Sequence, residues 1–125
     1  MTKVIATKKA PAALGPYSQG LVVGNLVMTS GQVPINPETG EMPESIEEQT
    51  RQSLTNVKHI LEEGGSSMDK AIHSTVFLQD LGDFTAMNEV YATFFQGTLP
   101  VRSCVQVAKL PKGAKVEIEV IATLD

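Results

Sequence analysis

Arg102 and Cys104 stand two apart in the stretch Leu99-Pro100-Val101-Arg102-Ser103-Cys104-Val105-Gln106-Val107, which otherwise has the valine-rich look of a buried strand. Strand residues two apart point to the same face, so a guanidinium and the chain's single thiol share one surface. In the last strand Glu117 and Glu119 lie opposite the aliphatic row Val116, Ile118, Val120, Ala122 and Leu124. A glutamate among Ile118, Val120 and Ile121 is partly removed from water, and an arginine on a neighbouring strand would offset its charge. Arg102 is the candidate. Its rigid fork of donors suits a planar carboxylate, and a glutamate beside it can hold a water or take a proton from it. Together they describe a site for a small carboxylic acid. The same residue types would also serve as a structural ion pair or as two exposed side chains.

Other reactive side chains read more plainly. Cys104 has no histidine near it in sequence, and a small buried cysteine is the commoner case. His59 and His73 have no ligand spacing with the cysteine or with each other, so no metal site is expected. Glu47-Glu48 and Glu62-Glu63 read as solvated faces near the ends of the first helix.

The elements that must position these groups come from a chain of 125 residues, the length of one domain (1–125) with a core of its own. Hydrophobic residues at 42% and charged residues at 19% argue against disorder. A net charge of −4 and the absence of a basic run argue against nucleic acid as a partner. One cysteine cannot form an internal disulfide, which suits a reducing cytoplasm. No apolar run is long enough for a membrane span.

Gly24-Asn25 between two apolar runs reads as a hairpin turn within residues 19–30, and Glu38-Thr39-Gly40 as a smaller turn in the loop that follows. Ser45 and Glu48 form a capping box ahead of Thr50, Leu54, Val57, Ile60 and Leu61, a helical stripe that Gly64-Gly65 ends. Residues 71–80 read as a strand. Asp83 opens a second helix with the stripe Phe84, Met87, Val90, Tyr91, Phe94 and Phe95, most of it core, with Phe84 or Asn88 at a pocket rim. Residues 101–109 and 115–124 read as strands. The order predicts an α+β fold, a mixed sheet with two helices on one face. Strands apolar on both faces, such as Val76 against Phe77, then call for oligomerisation.

"GPYSQG" (15–20), "TSGQVP" (29–34), "NEVYATFF" (88–95) and "PVRSCVQVAKLPKGAKVEIEVIA" (100–122) resemble the RidA/YjgF family of reactive intermediate deaminases, colinearly across nearly the whole chain. The resemblance implies a chorismate-mutase-like fold in which three copies place their sheets in a central β-barrel with the helices outside. It implies a homotrimer that hydrolyses enamines and imines, such as 2-aminoacrylate, 2-iminopropanoate and 2-iminobutanoate, to 2-keto acids and ammonia, without cofactor or metal. These intermediates leak from pyridoxal-phosphate dehydratases. By the same resemblance, Arg102 grips the substrate carboxylate and Glu119 holds the attacking water. Tyr17 (otherwise a packing lid) and Ser30 are the polar pocket residues, the Gly31 backbone lines the site, and the Cys104 backbone N–H meets the ligand. Loops carrying Tyr17 and Ser30-Gly31 are expected to face Arg102 and Glu119 of a neighbouring subunit. Family members are also described as ribonucleases, translation inhibitors and metabolic regulators, so a carboxylate-binding trimer without turnover is the alternative.

Overall fold

The computed structural model describes residues 2–125. Its strands are β1 (Thr2–Ile5), β2 (Gly20–Val23), β3 (Leu26–Thr29), β4 (Ala71–Leu78), β5 (Val101–Gln106) and β6 (Val116–Thr123); its helices are α1 (Ile46–Glu63) and α2 (Phe84–Tyr91). The strands form one mixed sheet in the order β1-β2-β3-β6-β4-β5. Only β4 and β5 run parallel, and α2 is the crossover that such a pair requires. The hairpin turns at Gly24, whose φ of 59° suits a residue without a Cβ.

Alternation decides which face is covered. On β6, Val116, Ile118, Val120 and Ala122 are buried against the helices while Glu117, Glu119, Ile121 and Thr123 face the other way. Leu54, Val57, Ile60 and Leu61 of α1 are fully buried with them; truncating such a leucine to alanine costs about 2–5 kcal/mol. Helix α1 starts at Ser45, whose hydroxyl accepts from the Glu48 N–H at 3.1 Å. Only this half of the capping box forms, because the Glu48 carboxylate turns to Arg51 at 3.5 Å.

The opposite face carries Thr75, Phe77, Glu117, Glu119 and Ile121, half-buried, with Val101 and Val105 exposed on β5. No helix of the described residues covers it.

Several predicted boundaries move. Strand β5 stops at Gln106 rather than 109, because the Gln79 side chain takes over the pairing: its amide donates to Ala108 O at 3.0 Å and its carbonyl accepts from Leu110 N at 3.2 Å. Helix α2 tightens at Ala92–Phe94 into a 3₁₀ turn, leaving Phe95 extended. Of the two residues of α2 read as rim candidates, Phe84 is exposed and Asn88 half-buried. Strand β1 carried no periodic signal, being a four-residue edge with only Ile5 buried.

Candidate functional site

The residues singled out in the sequence fall into two groups on each chain. Tyr17, Ser30, Gly31 and Glu117 line one cavity of about 630 Å³, together with Leu14 and Lys112. Arg102, Asn88, Tyr91, Leu99 and Pro100 line another of about 490 Å³.

In the first cavity Tyr17 is 55% exposed and stands on a tight turn closed by its N–H to Gly15 O at 2.8 Å. The Ser30 hydroxyl donates to Ser18 O at 2.6 Å, holding the two loops together. Gly31 sits directly on Glu117: a Cβ at this position would overlap the carboxylate. Burial, and then the charge of Glu119, push the Glu117 carboxyl above the usual carboxylate range.

The walls have little regular structure and are pinned by buried carboxamides. Gln19 accepts from Thr7 N at 2.6 Å and donates to Ala10 O at 3.2 Å and Pro11 O at 2.7 Å. Asn56 of α1 donates to Val33 O at 3.2 Å and Ile35 O at 3.0 Å. Groups held this way need no reordering when a ligand arrives.

In the second cavity α2 supplies the mount for Arg102. Phe84, Asn88 and Tyr91 share one helix stripe. Arg102 Nη1 donates to Asn88 Oδ1 at 2.7 Å. Its Cζ lies 4.8 Å from the centre of the Tyr91 ring and 5.5 Å from that of Phe84. No carboxylate pairs with it among the described residues. Cys104, two residues on, is half-buried against the core; burial raises its thiol pKa, and Arg102 partly opposes this.

This corrects the sequence reading in one respect. Arg102 was expected beside the β6 glutamates of its own chain. The register places Arg102 level with Ser74 and Val120, in the row that faces the helices, whereas Glu119 is level with Thr75 in the row that faces away. A guanidinium and a carboxylate on opposite faces of one sheet cannot pair. Glu119 lines neither cavity, and Glu117 is the carboxylate beside Tyr17, Ser30 and Gly31. The missed signal was the Gly31 step: a glycine before Gln32, whose N–H donates to Ile118 O at 2.8 Å, brings that loop onto the residue preceding Ile118.

The family model for endoribonuclease L-PSP matches residues 7–124. The chain belongs to the RidA/YjgF family. Within that family, a 2-iminobutanoate/2-iminopropanoate deaminase of Escherichia coli (strain K12) is 53% identical over 125 residues, 98% of each chain. The RidA/YjgF fold found here superposes on E. coli TdcF with bound serine at a TM-score of 0.94, with 52% identity over 97% of this chain and 98% of that one. It superposes on the E. coli YjgF gene product at 0.95, with 50% identity over 98% and 99%.

Proposed function

We propose that the protein is a hydrolase that deaminates 2-imino acids, the tautomers of reactive enamines such as 2-aminoacrylate, to 2-keto acids and ammonia, in a cleft shared between subunits of a homotrimer. The observation that carries the reading is the Arg102 fork, held by neutral partners and left unneutralised beside a cavity, in a chain 53% identical to an enzyme named for this reaction.

The roles follow from chemistry. Arg102 binds the substrate carboxylate through its free donors. Glu117 of the neighbouring subunit takes a proton from water as its oxygen adds to the imine carbon, a contribution of about 10²–10⁴-fold. Tyr17 or Ser30 relays a proton to nitrogen, and ammonia leaves from the tetrahedral adduct as the keto group forms. Fixing acid and water in one cleft removes much of the entropic barrier. The Gly31 and Cys104 backbones border the ligand. Glu119, assigned the water by resemblance, lines neither cavity, and Glu117 takes that role in this reading.

Trimeric closure would bury the apolar side chains of the uncovered sheet face, including Phe77, Val101 and Val105, worth about 25 cal/mol per Å² of apolar area. It would also bring the two half-sites together. Ammonia and 2-keto acid release from an imino acid generated in situ tests the reading. Binding of a 2-keto acid without turnover would leave a carboxylate-binding trimer instead.

A further inference from the structure

We infer that the buried hydroxyl pair of Ser74 and Tyr91 is a positioning device for Arg102, fixing the ring on which the guanidinium lies and so the plane of the fork offered to a carboxylate. The inference rests on the reading of Arg102 as the carboxylate-binding group.

Ser74 is the residue of β4 level with Arg102 on β5. It is fully buried in the row that holds Ala71, Val76 and Leu78. A hydroxyl in such a row is unfavourable unless it finds a partner, and an apolar side chain would pack there without that need. Its one side-chain partner is Tyr91, with the two oxygens 2.6 Å apart. Tyr91 is itself buried and packs on Phe95 with ring centroids 4.5 Å apart. Packing alone would be met by a second phenylalanine; the hydroxyl adds a tether. The ring is held by α2 at its Cβ and by β4 at its oxygen, so it bridges helix and strand beneath the guanidinium.

The chemistry of the mount is consistent throughout. Phe84, Asn88 and Tyr91 are neutral, and burial holds the Tyr91 phenol above its ordinary pKa, so it stays neutral next to the cation. An aspartate in place of Asn88 would orient the fork equally well but would compete with a substrate carboxylate for its charge. Aromatic faces attract a guanidinium without neutralising it.

The test is steady-state ammonia release from an imino acid generated in situ, alongside calorimetric titration of the intact protein with 2-oxobutanoate. Tyr91→Phe and Ser74→Ala are each expected to raise KM and the Kd of the probe about fivefold with kcat within about twofold, and the double variant to be no worse than either single. Ser74→Thr keeps the hydroxyl and should restore a near-normal KM. The inference is overturned if folded single variants keep KM and Kd, if their effects multiply, or if only the melting temperature falls. Absence of ammonia release by the wild-type protein would instead remove the deaminase reading, and the titration would still examine the mount.

Discussion

Arg102 and Glu117 project from opposite faces of one sheet, from strands separated only by β4, and each lines a different cavity of the same chain. Neither cavity holds both the Arg102 fork and the Glu117 carboxylate. If the two act on one substrate, they come from different chains. Mixed oligomers of Arg102→Ala and Glu117→Gln chains should then recover about a quarter of wild-type clefts, as random pairing around a closed ring requires. Light scattering should give the trimer mass. A monomeric mass, or no recovery in verified mixed oligomers, would defeat the shared site.

Arg102→Ala should abolish deamination while circular dichroism and assembly remain near wild type, since the side chain makes one hydrogen bond and two ring contacts. Arg102→Lys should fail largely as well, because an ammonium lacks the planar fork. Activity within a few-fold of wild type in the alanine variant would exclude Arg102 from the mechanism.

The two glutamates of β6 should separate cleanly. Glu117→Gln is expected to lower kcat by about 10²-fold or more, and Glu119→Gln by less than about threefold. As a base Glu117 works ionised, so kcat/KM should fall as pH drops through its pKa. Burial raises that pKa, and the Glu119 charge raises it further. The acid limb should therefore lie above the ordinary carboxylate range, and Glu119→Gln should move it to lower pH. An unmoved limb would show that another group titrates.

Gly31→Ala places a methyl group on the Glu117 carboxylate. The loop or the carboxylate must shift, and kcat/KM should fall at least about tenfold, since small misplacements at a reacting centre are amplified. Unchanged kinetics in a crystallographically unshifted variant would show that Glu117 is not held by this contact.

Cys104→Ser should keep most of the activity. Burial raises the thiol pKa, and a protonated, half-buried thiol is a poor nucleophile. Alkylation by iodoacetamide at neutral pH should be slow. Loss of turnover in the folded serine variant would bring the sulfur into the chemistry.

The sequence was legible where a period repeats. The α1 stripe with its serine cap, the Gly24-Asn25 hairpin and the alternation of β6 all announce themselves locally. The two-group site was harder to read. Which of Glu117 and Glu119 meets the loops depends on the isolated bridge between Gln32 and Ile118, a pairing across a long sequence separation. Which face Arg102 takes depends on the register of β5 against β4. Alternation says that two residues share a face; it does not say which layer that face meets. Tyr91 read as core, and it is core; its second role needs Ser74 beside Arg102, which only the parallel pairing brings about.

The carboxamide pins have a practical consequence for anyone wishing to re-tailor the first cavity. The wall from Val33 to Ile35 is fastened to Asn56 at two carbonyls, so its length cannot change without unmaking the fit to α1. Beyond it, Asn36 and Glu41 close a small exposed turn, with Asn36 N to Glu41 O at 2.8 Å and Gly40 N to Asn36 O at 2.8 Å. Insertions are tolerated where exposed backbone carries little of the structure, and residues 37–40 are such a place, at the rim and past the last pin. A grafted loop there would reshape the mouth of the cavity while the frame beneath kept its dimensions.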